Sequence, residues 1–350
     1  MCQGHRPKYA AGRRGGHPTL VPSLATDKWF EYNPGNKSTP SLFVVSTRIG
    51  LNMTGQSHAL RIRRSSRYQI RMATYDDGPA IGRLLDNASH RYLALEWWTV
   101  KDWLGRPTLL LATDRNERPA GVMLAVTGDG PVAWLRVVAV SSSECLALLL
   151  EANAQAVLAQ GGTGLAMLGG EDWISSQLKF TGFQKVNQVV TLRHRGTWPT
   201  DLGPPGLKVR AATPADINAI LAVDHAAFAP IWWYGREVMY RALNVALCFS
   251  VAYLDGECVG YQFSTLRDGR GHIVRLATHP HRQRRGIGGR LLNEALVALE
   301  KAGAEPITVN TQQDNLTSLQ LYRRFSFERS GKSWAVWFRS LFTHRPRSRP

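Results

Sequence analysis

From Pro280 to Leu291 the chain reads "PHRQRRGIGGRL", in which Arg282, Arg284 and Arg285 lead into Gly286, Ile287, Gly288 and Gly289, with Gln283 among them. Guanidinium groups fit phosphate oxygens as planar forks. Glycines without side chains let successive backbone N–H groups converge on an anion. A helix starting here would add its unpaired first amides and the positive end of its dipole. Each arginine could instead be a solvated loop charge, but three beside glycines favour phosphate contact. The chemistry implied is a pyrophosphate cradle.

The flanking residues supply the elements such a cradle needs. Ile273, Val274, Leu276 and Ala277 form a short apolar run that predicts a strand, stopped by Pro280. Leu291, Leu292, Ala295, Leu296 and Leu299 recur at helical spacing and predict a helix closed by Gly303. His272 and His279 bracket the strand and are candidates to titrate near neutrality, although histidines so placed are more often structural. "HPH" at 279 to 281 is too compact for a metal site, and Cys2, Cys145, Cys248 and Cys258 lack metal-binding spacing, so no metal is expected. Those cysteines read as small hydrophobes in a reducing compartment.

The chain has 350 residues, 44% hydrophobic and 20% charged, which suits a globular protein of two ordinary domains. No apolar stretch reaches membrane-spanning length; the richest, Cys145 to Ala159, is broken by Glu151, Asn153 and Gln155. With no secretory signal at the start, a cytoplasmic location and no membrane partner are expected. The formal net charge of +17 is uneven. Residues 1–67 hold 11 Lys or Arg against 2 Asp or Glu, residues 338–350 hold 4 Arg and no acid, and the rest is close to balance. A solvated, disordered extension (1–67) and basic tail (342–350) therefore explain the excess better than nucleic-acid binding does. A transit segment, or a start at Met53, are the alternatives for the extension.

From Tyr68 onward the chain repeats itself. "IRMATYDDGPAI" (Ile70 to Ile81) matches "VRAATPADINAI" (Val209 to Ile220) at a shift of 139, which also carries Gly121 onto Gly260, Asp129 onto Asp268, Gly130 onto Gly269 and Arg136 onto Arg275. Residues 68–195 and 207–341 thus read as two copies of one fold joined by a Pro- and Gly-rich linker, 196–206. In the second copy Thr213 and Pro214 open a helix that runs to about Phe228, and another follows "PIWWYG". Asp255-Gly256 marks a hairpin turn, "PITVN" a fifth strand, Asn315 to Arg324 a helix, and a strand pair containing "SWAVWF" closes the copy. The fold class expected is α/β, a mixed sheet with helices on both faces.

Gln283 to Gly288, placed after a strand and before a helix, resembles the Q/R-x-x-G-x-G/A loop of the GNAT (GCN5-related) N-acetyltransferases. It is followed by "NLTSLQLYRRFSF", which resembles that family's Asn…Leu-Tyr…Gly-Phe segment through Asn315, Leu321, Tyr322 and Phe327. The resemblance covers roughly Leu207 to Phe338. It implies two tandem GNAT folds, acetyl-CoA as cosubstrate, and direct acetyl transfer to a primary amine in a ternary complex. The acceptor, a protein, peptide or small molecule, is left open. By the same resemblance the backbone of Gln283, Arg284, Arg285, Gly286, Ile287, Gly288 and Gly289 holds the pyrophosphate. The main chain of Leu276, Ala277 and Thr278 pairs with the pantetheine arm, Asn315 caps its helix and touches CoA, with capping alone an equal reading, and Tyr322 protonates the departing thiolate. A core tyrosine is the plainer role for Tyr322, and a non-catalytic acyl-CoA-binding module is the alternative function.

Two departures are visible. The family's Gly before the last Phe is Ser326, and the strand-five glutamate proposed as base in related N-terminal acetyltransferases aligns with Asn310, an amide that accepts no proton. No other base is evident. Glu237 and the Trp232, Trp233, Tyr234 cluster lie where the family shapes its acceptor cleft, with packing as the stronger role for the tryptophans because Trp97-Trp98 sits similarly in the first copy. That copy lacks the Arg and Gly loop: aligning Gly161 with Gly303 changes the shift to 142, so loop residues are missing. It is expected to be a degenerate copy that binds no CoA. The tandem arrangement resembles that of mycothiol synthase. Oligomeric state is open, a monomer with its two copies packed together being one possibility.

Overall fold

The computed structural model describes residues 67–169, 173–200 and 203–342. All of the basic extension except Arg67, all of the tail except Phe342, and Glu171, which the repeat sets opposite Asn315, lie outside the described residues. In the first half the elements are β1 (Gln69–Met72), α1 (Gly78–Asn87), β2 (His90–Leu93), β3 (Leu109–Thr113), β4 (Pro119–Thr127), β5 (Val132–Val140), α2 (Ser143–Ala159), β6 (Gly164–Gly169), α3 (Trp173–Lys179) and β7 (Gln184–His194). The second half has β8 (Lys208–Ala211), α4 (Ile217–Ala227), α5 (Arg236–Val245), β9 (Cys248–Leu254), β10 (Glu257–Arg267), β11 (Arg270–Thr278), α6 (Ile287–Lys301), β12 (Ile307–Gln312), α7 (Leu316–Arg324) and β13 (Phe327–Ser340).

The repeat is reproduced atom for atom where each copy begins. In the first, Asp77 caps a turn by accepting from the Thr74 amide at 2.7 Å and holds Arg71 by two bonds of 2.6 Å. In the second, Asp216 accepts from the Thr213 amide at 2.8 Å and holds Arg210 by two bonds of 2.7 Å. Arg71 beside Asp77 draws that carboxyl down to about 2, and Arg210 likewise holds Asp216 far below the usual carboxylate range. The expected hairpin at Asp255-Gly256 is present, with both residues at positive φ, 53° and 80°.

The register corrects one correspondence. Gly121 faces Val140 as Gly260 faces Thr278, so across β5 and β11 the shift is 138, because the turn before β5 is one residue longer than its counterpart. Arg136 therefore corresponds to Val274 and Val137 to Arg275.

A larger difference lies in the closing strands. One 13-stranded sheet runs β1-β3-β4-β5-β6-β13-β7-β12-β11-β10-β9-β8 through both halves, with β2 paired to β5 off this path. The strand pair expected at the end of the second copy is one strand, β13, bent by an irregularity between Arg329 and Ser333. Its partners are β6 and β7 of the first half, while β7 lies against β12 of the second. Each copy thus supplies the strand that completes the sheet of the other. Helices pack on both faces, and Val190 and Leu192 of β7 enter the apolar core formed by α6, α7 and β12 of the second half.

Severing the chain should therefore unfold it. A fragment beginning at residue 201 loses Val190 and Leu192, about 1.5–3 kcal/mol each, and exposes the β12 edge. Expressed alone it is expected to aggregate, and co-expression with residues 1–200 to recover a soluble 1:1 complex on size exclusion.

Candidate active site

The site grows from a fork in the sheet. β11 and β12 run parallel only where Gly271 to Ile273 meet Ile307 to Val309. Beyond Ile273, the β12-facing edge of β11 pairs with no strand among the described residues, so the backbone at Leu276 and Thr278 is open toward the fork, while Ala277, whose carbonyl lies against Gly260, faces β10. The fork coincides with a β-bulge, since Phe263 faces Arg275 while the next residue, Ser264, faces Ile273, leaving Val274 as the extra residue. Val274 and Arg275 consequently point to the same face. Ile273 and Leu276 pack with α6, whereas Val274 and Ala277 join the core of α4 and α5.

A buried ion pair fixes that bend. Arg275 donates to Asp224 Oδ2 through Nε (2.9 Å) and Nη2 (2.7 Å), and Nη2 also reaches the Trp232 carbonyl at 2.7 Å. Tyr261 donates its hydroxyl to the same carboxylate. The guanidinium lies 3.6 Å from the ring centre of Phe228 and 4.2 Å from that of Tyr234. Burial opposes the Arg275 charge, but Tyr261, Asp224 and Tyr234 outweigh it and hold its pKa above the ordinary value. Sequence alone gave no sign that Asp224 was part of this clamp.

The strand ends in the expected loop. Gln283 Nε2 donates to the Thr278 carbonyl at 3.2 Å. Arg284 takes a left-handed φ of 59°, and Gly286, at φ 81°, is the N-cap of α6. With glycine in that position no side chain caps the helix, and its first amides remain available to an anion. Arg284 and Arg285 are exposed, whereas Arg282 is held by Glu257 at 2.7 Å and is not a free phosphate ligand. A Cβ on Gly288 would meet only ordinary contacts, Leu321 Cδ2 at 3.4 Å and Thr278 Oγ1 at 3.5 Å. By contrast, a Cβ on Gly260 would come within 2.8 Å of the Ala277 carbonyl. Packing requires glycine at 260, whereas at 288 the fold leaves room for a side chain.

Leu321 brings α7 against this loop. Tyr322 beside it is 5% exposed, its ring 5.6 Å from that of Phe327, within the core that also receives Leu276. Burial pushes its phenol above the ordinary value. Asn315 caps α7, its Oδ1 accepting from the Ser318 amide at 3.1 Å. Ser326 adopts φ 58°, as Gly182 adopts 81° before Phe183, which explains a glycine preference at this turn; its hydroxyl donates to the Thr197 carbonyl at 2.5 Å. The structure thus gathers Leu276–Thr278, the Gln283–Gly289 loop and Tyr322 at one end of the fork.

The other candidates divide. His272 meets Thr308 Oγ1 at 2.9 Å, and burial pushes its imidazole down to about 4, so it is neutral rather than poised near neutrality. Glu237 is held by Arg106 of the first half at 3.0 Å. Trp233 stacks on His225 and donates to the Phe228 carbonyl at 2.8 Å, a packing role. Among the described residues no group of three or more His, Cys, Asp or Glu could hold a metal ion, and no helix is long and apolar enough to cross a membrane.

The first half has a fork too, since β5 and β6 pair only from Val132 to Trp134. There β2 lies along Val137 to Val140, the edge corresponding to Leu276–Thr278. Here Trp134 donates to the Ile231 carbonyl at 2.8 Å and its ring lies 5.0 Å from that of Trp232, and both second-half residues pack with Trp134 and Leu168 on a cluster of Val189, Trp334 and Val336. Ser142 caps α2, accepting from the Cys145 amide at 3.1 Å, so the counterpart of the cradle satisfies its own amide. Nothing in the sequence reading anticipated β2, whose four residues "HRYL" carry no clear strand period.

Two substitutions probe this geometry. Gly288→Ala adds helix propensity of up to about 1 kcal/mol and should leave the melting temperature unchanged or higher while weakening CoA binding at least about tenfold by calorimetry. Asp224→Ala strands the Arg275 cation and should cost about 3–5 kcal/mol in urea unfolding.

Residues 219–327 match the acetyltransferase (GNAT) family. A mycothiol acetyltransferase from Clavibacter michiganensis subsp. michiganensis is 26% identical over 237 residues, 63% of this chain and 77% of that protein. An N-alpha-acetyltransferase from Sulfolobus acidocaldarius is 28% identical over 133 residues, 34% of this chain and 79% of the other. The structure of a tandem GNAT protein from the clavulanic acid biosynthesis pathway superposes with a TM-score of 0.51 at 13% identity, covering 79% of this chain and 99% of that one. With a fork, glycine loop and tyrosine in the second half and the same fold in the first, the chain carries its GNAT-family match in the second half, is similar to proteins named acetyltransferases, and has the fold of two GNAT domains in tandem.

Proposed function

We propose that the second half binds acetyl-CoA and transfers the acetyl group directly to a primary amine, and that the first half is a degenerate copy that binds no CoA. The observation carrying this reading is the contrast between two corresponding edges. In β11 the backbone at Leu276 and Thr278 is open toward the fork, whereas in β5 the matching edge is taken by β2. The relative aligned over 237 residues is named a mycothiol acetyltransferase and the one aligned over 133 an N-alpha-acetyltransferase; both names support acetyl transfer, and the second supports an amine acceptor.

The amides of Gln283 to Gly289 at the start of α6 would hold the pyrophosphate, with Arg284 and Arg285 adding charge. The free edge at Leu276–Thr278 would align the pantetheine as an added strand, and one of its amides is available to polarise a carbonyl oxygen. Acetyl-CoA supplies the acetyl group as a thioester open to attack by a neutral amine. Tyr322 keeps its proton across the working pH range because burial raises its pKa, and so it remains a donor for the leaving sulfur. Neither β11 nor β12 contains a carboxylate, and His272 is tied up with Thr308. The amine's own proton therefore leaves to water.

Tyr322→Phe should lower kcat by about 10²-fold or more with acetyl-CoA affinity within about twofold; an unchanged kcat would refute the acid role. For the native protein kcat/KM should rise about tenfold per pH unit up to the acceptor's own pKa and show no alkaline downturn below about pH 10, the ordinary tyrosine value. Free-thiol release from acetyl-CoA with an amine panel measures both, and no turnover with any amine would remove the transferase assignment.

A further inference from the structure

Asn310 is the first residue of β12 beyond the last one paired with β11, and so stands at the mouth of the fork. It shares a strand face with Thr308 and Gln312, opposite to Ile307 and Val309, which enter the α6 core. That face carries an exposed Asn310 side chain. Its orientation is set from the other half: Thr191 of β7, 9% exposed and directly opposite in the register, donates its hydroxyl to Asn310 Oδ1 at 2.7 Å. With Oδ1 engaged, the Nδ2 donors remain for whatever enters the cleft. The corresponding residue of the first half, by the shift of 142, is Leu168, which packs among apolar side chains.

We propose that Asn310 is a specificity-determining residue for the acceptor, with Thr191 its positioning residue, and that the pair selects amines bearing a carbonyl or hydroxyl oxygen close to the nucleophilic nitrogen. This deepens the reading of the second half as an amine acetyltransferase and rests on it. An amide N–H has no use for the attacking nitrogen, whose lone pair must face the thioester, but it binds an oxygen beside that nitrogen. Because a donor left facing a plain alkyl group is desolvated without a partner, the preference is exerted against amines that lack the oxygen. Because Thr191 comes from β7, the first half takes part in this selection.

The test uses the full chain and amines matched in length, glycinamide and ethanolamine against n-propylamine, with acetyl-CoA binding measured separately by calorimetry. With kcat/KM counted per neutral amine, so that the lower basicity of the oxygen-bearing amines does not enter, the native protein is expected to favour them at least about tenfold, mainly through KM. Asn310→Leu should erase the preference while acetyl-CoA binds as before. Thr191→Val should reduce it, and Thr191→Ser, which restores the hydroxyl, should recover it. If acetyl transfer occurs with equal kcat/KM for the matched amines, or the preference survives Asn310→Leu, the inference is overturned although the transferase reading stands. Absence of transfer to every amine despite acetyl-CoA binding would overturn that reading instead.

Discussion

The antiparallel pairing of β7 with β13 at the middle of the sheet is the contact on which the rest of the molecule depends. Each of these strands follows the last helix of its own copy and then lies beyond the fifth strand of the other. A sheet edge carries unpaired amides and carbonyls that must be covered or left in water. Here each half covers the other's edge, and the cores become joint property: Val190 and Leu192 pack behind Tyr322, while Trp337 and Leu341 enter the core of the first half. Residue pairs on the rim, such as Arg106 with Glu237, are exposed and add little by comparison. The first half is therefore structural support for the site whether or not it binds anything itself.

Within that frame the two halves show how one fold can be left open or closed. In both, a bulge and an early end to parallel pairing split the fifth strand from the fourth. The second half leaves the split polar, with Asn310 exposed and a glycine-capped helix beside it. In the first half the chain places its own parts there, β2 along the edge and Ile231 with Trp232 against Trp134. An unsatisfied strand edge demands hydrogen-bond partners, which a ligand or a peptide segment can supply equally well.

Sequence by itself determined a good deal. The repeat, the strand and helix around the glycine loop, the helix opened by Thr213 and Pro214, the hairpin at Asp255-Gly256 and the fold class all follow from local rules, because turns, caps and periodicities are set by residues close in the chain. The placement of Gln283 to Gly289 between a strand and a helix, and of Tyr322 on the following helix, was legible for the same reason, each lying inside a short segment of fixed spacing.

Tertiary structure decided the rest. The exchange of closing strands cannot be read from β7 or β13, since either would pair as well with its own copy, and only the competition among edges selects the partner. Asp224 is 51 residues from Arg275 and Thr191 is 119 from Asn310, separations at which no local pattern signals contact. The neutrality of His272 and the pairing of Arg282 with Glu257 likewise arise from burial and proximity, quantities that exist only once the sheet has formed. Even the counting of the repeat needed the register, because a one-residue difference in a turn moves every following side chain by one place and left Val274, not Arg275, opposite Arg136.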